Sequence, residues 1–271
     1  MPFSNSRLGV FAASFLAFLI LPAALLFGAD YYVATTGSDS NAGTAAAPWR
    51  TIQYAVNTIS PGDTIIVKPG TYVGARISNS GLSGQPKTLK SESKWSALLN
   101  APSSAAKHNG IVELEDWDNP PVGYWVIEGF EVDGGSAHRC IDIRGSASQP
   151  ASHITIRGNH VHHAHSGSGV STGIFDGFAE YSLYEHNVTH HNTEHGMYHS
   201  NTANYATIRG NTSYANSGCG FHNNGDESMG GEGVIRYCLY EKNIAYENNS
   251  GSGLNYDGVS DSIMRNNILY S

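Results

Sequence analysis

Six segments of the chain align on one another without gaps: WVIEGFEV (125–132), ITIRGNHV (154–161), SLYEHNVT (182–189), ATIRGNTS (206–213), CLYEKNIA (238–245) and SIMRNNIL (262–269). One column holds Asn159, Asn187, Asn211, Asn243 and Asn267, with Phe130 in the first segment, and the asparagines are spaced 28, 24, 32 and 24 residues apart. Such a period is one coil of a solenoid per repeat. An asparagine at the same corner of every coil can hydrogen-bond the turn of its neighbour and form a ladder along the molecule. A second column alternates in sign: Glu128, Arg157, Glu185, Arg209, Glu241, Arg265. Strands of a parallel sheet lie about 4.8 Å apart, so each charge has opposite neighbours, worth roughly 0.2 to 1 kcal/mol a pair. These ions belong to the structure, not to chemistry.

Nine or ten residues after each ladder position a second strand is expected to start: CIDIR from Cys140, GVSTG from Gly169, GMYHS from Gly196, GFHNN from Gly220 and GLNYD from Gly253. Period-two alternation turns Ile141, Val170, Met197, Phe221 and Leu254 inward. It turns Asp142, Ser171, Tyr198, His222 and Asn255 outward, followed by Arg144, Gly173, Ser200, Asn224 and Asp257. Length variation is expected after this strand, with the longest excursion at GDESMGGEG (225–233). Insertions in a solenoid gather on its binding face, so the outward surface of this strand is the candidate site.

Upstream, periodicity changes from strand (31–33) through a Gly/Ser/Asp/Asn loop to helical spacing of Ile52, Ala55, Val56 and Ile59, then to strands at 64–67 and 71–73. One amphipathic helix before a run of strands suits the cap of a solenoid. The words GSDSNAGT, PWRTIQYAV and PGDTIIVKPGTY resemble the opening of secreted right-handed parallel β-helix proteins of the pectate-lyase-like superfamily. That resemblance implies an all-β right-handed parallel β-helix. For activity it is less specific, since lyases, hydrolases, epimerases and non-enzymatic adhesins share such an opening. The lyase pattern it would imply, a Lys or Arg base facing clustered aspartates, does not stand out in this sequence.

Arg7 followed by an apolar run to Phe27 and small residues at Gly28 and Ala29 reads as a signal peptide over 1–29. The expected organisation is then a cap and first irregular coils over 30–123 and regular coils over 124–271. The protein is expected outside the cytoplasm (secreted, periplasmic or cell-surface), with no stable membrane insertion after cleavage. The chain stops at Ser271 midway through a coil, which reads as truncation. Three cysteines, an odd number, do not make a disulfide framework.

A formal charge of −8 gives no footprint for nucleic acid. Only 14% of residues are charged, against 31 glycines, which excludes a coiled coil or helical bundle. Ten of the 13 histidines lie between His153 and His199. His162 and His190 align with Tyr214, Tyr246 and Tyr270, so an aromatic corner stack is the expectation, although four imidazoles with His163 and His191 could hold a transition metal. His199 has inward parity and reads as a hydrogen-bonded core group. Asp176 and Glu180 in FDGFAEY could be a hydrolase acid pair.

Tyr198 and His222 are outward on adjacent coils. A neutral imidazole can abstract a proton and a phenol can deliver one to a leaving oxygen, the two roles that eliminative cleavage of a uronic-acid polymer needs. Arg144, or a Ca²⁺ held by Asn224, Asp226 and Asp257, would neutralise the sugar carboxylate, with Asn224 and Asn255 contacting substrate. The expected partner is a polysaccharide. A non-catalytic carbohydrate-binding or surface solenoid is the alternative.

Overall fold

The computed structural model describes residues 28–115, 121–166, 171–249 and 253–271. The leader expected at the N-terminus falls almost wholly on residues 1–27, outside the described residues. Among those described, no helix is long and apolar enough to cross a membrane. The strands form three large parallel sheets of ten, eight and seven strands. Each coil visits them in turn, as Ala151–Arg157, His160–His162 and Thr172–Gly177 do in one coil and Leu183–Glu185, Val188–His190 and Met197–Ser200 do in the next. Crossovers between parallel strands are right-handed. The molecule is a right-handed parallel β-helix, all-β apart from the helix Ile52–Thr58 among the described residues. Thr51 caps that helix by accepting from the Tyr54 N–H at 3.2 Å, and Ile52, Ala55 and Val56 are its buried face.

Alternation along each strand puts one stack of side chains inside and another outside. Ile127, Ile156, Tyr184, Ile208 and Tyr240 form one interior column of the first sheet, and Val112, Ile141, Ile174, Met197 and Phe221 face it from the third. Burial of such side chains contributes roughly 1.5 to 3 kcal/mol each.

The asparagine ladder is continuous. The Oδ1 of Asn159, Asn187, Asn211, Asn243 and Asn267 accepts in turn the backbone N–H of Phe130, Asn159, Asn187, Asn211 and Asn243 at 2.9–3.0 Å. Each amide also donates backward, as Asn187 Nδ2 does to the Ile156 carbonyl at 2.8 Å. A second ladder that the repeat alignment did not bring out runs Asn192, Asn216, Asn248, its first rung closing on the Ala164 N–H at 3.0 Å. The charge column pairs Arg157 with Glu128 at 2.8 Å, Arg209 with Glu185 at 2.7 Å and Arg265 with Glu241 at 2.8 Å. Lys90 lies in register with Glu128 and extends the column by one coil. The corner stack His162–His190–Tyr214–Tyr246–Tyr270 has centroid spacings of 5.0, 4.8, 4.9 and 5.2 Å. A further stack, Tyr124–His153–Tyr181–Tyr205–Tyr237, lines another corner, every member at a φ between 52° and 60°.

One expected register is corrected. In the coil after Asn159 the third-sheet strand is not GVSTG but Thr172–Gly177: Ile174 pairs with Met197, Phe175 with Tyr198 and Asp176 with His199. Phe175 therefore occupies the outward place expected of Ser171. Relative to the 24-residue repeat that follows, this 28-residue repeat has five more residues before the strand and one fewer after it, whereas length variation was expected after it. Gly173, Gly196 and Gly220 mark the strand starts because a Cβ there would sit 2.6–2.8 Å from the carbonyl oxygen of the glycine one coil on.

Asn187→Ala strips two buried backbone groups of their partners, at about 1–3 kcal/mol for each. Arg157→Ala removes a partly exposed ion pair worth about 0–1 kcal/mol. Urea unfolding of the two variants should show a large loss for the first and almost none for the second.

Candidate functional site

The third sheet presents two outward columns. One reads Glu113, Asp142, Phe175, Tyr198, His222, Asn255; the other reads Glu115, Arg144, Gly177, Ser200, Asn224, Asp257. Tyr198 and His222 are direct cross-strand neighbours with ring centroids 4.6 Å apart, edge to face. Asn224 Nδ2 donates to the Tyr198 hydroxyl oxygen at 3.0 Å, which leaves the phenolic proton free to point outward. Asn255 Nδ2 lies 3.0 Å from His222 Nδ1. Four of the expected residues are thus one contiguous cluster.

Arg144 stands two coils away. It grips Asp142 with Nε and Nη2, both at 3.0 Å, while Arg139 Nη1 approaches the same carboxylate at 3.3 Å. Two guanidiniums share one buried carboxylate, so this group carries a surplus positive charge. The Arg139 guanidinium lies 3.6 Å from the Phe175 ring centroid, and Phe175 meets Tyr198 edge to face at 5.3 Å. A cleft of about 240 Å³ opens here, lined by Arg139, Arg144, Phe175, Phe178, Tyr198, Asp226 and Met229. Tyr198 is the shared wall between this cleft and the His222 cluster. Phe175 was hidden by the misplaced register. Strict alternation gives Arg139 inward parity, so no periodicity could have found it.

Electrostatics favour neutral imidazoles at the His222 end. Burial pushes the His222 pKa down, with Asp257 partly opposing. His195 stacks on His222 at 4.1 Å, accepts the Cys219 N–H on Nδ1 at 2.9 Å, and is pushed down to about 3 by burial and by the neighbouring imidazole. Burial also lowers Arg139, which Asp142 counters.

Directly beneath, the inward column turns polar. Asp176 is not a loop acid but an inward strand residue, 2% exposed, whose Oδ2 lies 2.7 Å from His199 Nδ1. It is thereby removed from the acid pair expected with Glu180, which lies on the short strand Ala179–Glu180 paired to the first sheet. Burial opposes protonation of His199, but the Asp176 carboxylate outweighs it and raises the pKa to about 10. His199 is a hydrogen-bonded core group, and Cys140, Cys219 and Cys238 are buried free thiols.

The three residues expected to hold Ca²⁺ do not form a cage. Asp226 turns both oxygens into its own loop, accepting from Ser228 N at 2.7 Å and Ser228 Oγ at 2.8 Å, and lines the cleft rather than facing Asp257. That leaves the Asn224 amide oxygen and the exposed Asp257 carboxylate, neighbours in register, against the six to eight oxygens Ca²⁺ takes. Resident Ca²⁺ does not fit these residues.

A parallel β-helix with a groove of arginine, aromatic and imidazole side chains along one sheet is a class of protein that comparison with known families narrows further. A family model described as the Pel9A-like right-handed β-helix region matches residues 31–172, just over half of the chain, and the chain belongs to that family. Pectate lyase PEL9 of Emericella nidulans is 31% identical over 165 residues, covering 56% of this chain and 37% of that protein. Uncharacterized protein YwoF of Bacillus subtilis (strain 168) is 29% identical over 136 residues, covering 49% and 28%. The chain spans about a third of the length of these curated relatives. The crystal structure of pectate lyase Pel9A superposes with a TM-score of 0.59 at 19% identity, over 87% of this chain and 60% of that one, and shares the fold.

Stability should peak near pH 6.5. Below it, unfolded His195 takes up a proton that folded His195 refuses until about pH 3, so stability falls as pH drops. Above it, folded His199 keeps to about pH 10 a proton that the unfolded chain has lost, so stability falls as pH rises. Melting temperature against pH should show both limbs. His195→Asn should flatten the acid limb and the Asp176→Asn, His199→Asn double variant the alkaline one; unchanged limbs would refute the assignment.

Proposed function

We propose that the protein is a polysaccharide-active β-helix enzyme that cleaves an acidic, uronic-acid glycan by elimination, working outside the cytoplasm. The observation that carries this reading is the pairing of a neutral imidazole and a phenol on adjacent coils, His222 and Tyr198, beside a cleft lined by the two arginines Arg139 and Arg144. Kinship with a pectate lyase supports the substrate class.

In this reading Arg144, with Arg139, holds a uronate carboxylate further along the groove, two coils from Tyr198 and three from His222, and so positions the glycan. Phe175 offers an apolar ring for the sugar, and Asn224 and Asn255 hold the acid and the base in place. His222 takes the proton α to the carboxylate. That electron pair becomes the C=C bond as the C–O bond to the next sugar breaks, and the Tyr198 hydroxyl protonates the leaving oxygen. Proton transfer from His222 to Tyr198 resets the pair. With Asn255 Nδ2 facing Nδ1, the proton sits on Nε2. The base role requires the Asn255 amide to turn its oxygen to Nδ1–H, leaving Nε2 as acceptor, an exchange of amide orientation that costs little space.

An acid and a base standing side by side reach the same face of the sugar. In glucuronate and mannuronate the departing hydrogen and oxygen lie on one face, whereas in galacturonate they lie on opposite faces. Glucuronan, alginate and pectate, each with Ca²⁺ and with chelator, are the substrates to test by ultraviolet absorbance of the unsaturated product. We expect a signal that falls roughly 10²–10⁴-fold in His222→Ala and in Tyr198→Phe, with Arg144→Ala raising KM. Activity lost to chelator would assign the carboxylate of the cleaved sugar to a metal. Pectate cleavage that survives Tyr198→Phe would take the acid role from Tyr198. Silence on all three polymers with retained glycan binding would leave a carbohydrate-binding solenoid.

A further inference from the structure

A corner of the second sheet concentrates more imidazole than stacking needs. His160 and His162 lie on one coil, His190 and His191 on the next, and Glu131 and Asp133 on the one before. Further along, the same stack is built from Tyr214, Tyr246 and Tyr270, so an aromatic ring suffices for the corner. Histidine replaces tyrosine only on the two coils beside the carboxylates, and His160 is added outside the column. Ring nitrogens converge there: His160 Nε2 lies 2.6 Å from His190 Nε2, and His162 Nε2 lies 3.3 Å from Glu131 Oε1. Ligand atoms of Glu131, His160 and His162 all fall within 4.8 Å of one another. Among the described residues neither Glu131 nor Asp133 has a Lys or Arg ion partner; both face His162.

We propose that this corner is a binding site for a divalent transition metal, with His160, His162, His190 and Glu131 as ligands. Three imidazoles and one carboxylate suit Zn²⁺ in a tetrahedral shell, or Cu²⁺ by affinity order. The set draws on three consecutive coils, so the ion fastens the Glu131 coil to the two that follow. Two nitrogens 2.6 Å apart share a single proton when metal-free, and binding releases it. Trp95 covers His160 at 4.8 Å and donates to the Gly158 carbonyl at 2.8 Å, closing one side. His162 Nδ1 is held by His163 Nδ1 at 2.7 Å, with Asp133 3.9 Å away, which fixes the ring with Nε2 turned to Glu131. This corner lies on a different sheet from the His222 cluster, and its test needs no activity.

The experiment titrates the chain, without an affinity tag and dialysed against chelator, with Zn²⁺ alone by calorimetry. Co²⁺ serves as a spectroscopic probe of four-coordinate geometry. One saturable site is expected, together with a Zn²⁺-dependent rise in melting temperature. His162→Tyr with His190→Tyr keeps the stack in the form the later coils use. We expect this variant to keep its metal-free melting temperature and to bind Zn²⁺ roughly tenfold or more weakly. Glu131→Gln, which keeps size and loses only the charge, should weaken binding similarly should the double variant fail to fold. Asp133–His162–His163 is a second convergent set at the same corner, and His195–Cys219–His222 is the one away from it, so His195→Asn with Cys219→Ser is the control and should bind as the parent does. No saturable site, unchanged binding in Glu131→Gln, or loss of binding in the control would each overturn the proposal.

Discussion

The structure depends on the requirement that buried backbone groups at the coil corners be hydrogen-bonded by the next coil. Asn187 is 0% exposed, and through it the Asn159 N–H and the Ile156 carbonyl find partners. A buried N–H left without one costs about 1–3 kcal/mol, so a coil displaced by a single residue loses that bond and turns its core face to solvent. The second ladder repeats the constraint at the next corner. Together the ladders fix register at two points per coil, and every column of side chains follows from it. The charge alternation and the tyrosine stacks are consequences of that register: parallel strands bring like positions together, so a column of one charge sign would repel and a column of rings can stack.

With register fixed, the outward face of the third sheet becomes an array in which each coil contributes one residue per column. Chemistry can then be assembled by choosing neighbours along the axis, as Phe175, Tyr198 and His222 are. The strands are short and rigid, and the cleft beside them is closed by the excursion that carries Asp226 and Met229. Longer insertions therefore adjust what the groove admits without disturbing the columns beneath.

Repeat identity made the fold legible. Asn159 to Asn267 recur at a fixed place because a short amide supplies an acceptor for one coil and a donor for the other at that corner, and Glu128 to Arg265 alternate because their neighbours are one strand away. The second asparagine ladder was harder to see, since its first rung ends on the backbone of Ala164 rather than on an asparagine. The Tyr124 to Tyr237 stack was obscured by His153 standing among tyrosines. In the site, Tyr198, His222, Asn224 and Asn255 were legible from alternation alone. Phe175 was not, because an insertion before a strand and one after it give the same repeat length. Arg139 breaks alternation where the chain turns into its strand. The Ca²⁺ set was drawn from residue types, and only the bonds to Ser228 reveal that Asp226 is turned away.

Parity, rather than abundance, sorts the histidines into roles. Tyr198 and His199 are consecutive, yet one faces the groove and the other faces Asp176 across 2.7 Å inside the solenoid. An uncompensated charge at that depth would cost several kcal/mol, so the pair is held as one neutral unit, with Asn223 and Tyr240 joined beside it at 2.6 Å. Buried polar links of this kind are directional where the aliphatic column that precedes them, Leu114 and Ile143, is not. The interior therefore changes from interchangeable packing to fixed geometry beneath Phe175, Tyr198 and His222. The polar interior holds the strands from below at the coils where the outward face must keep an acid and a base in place. An acid–base pair set on aliphatic packing alone would lack that constraint.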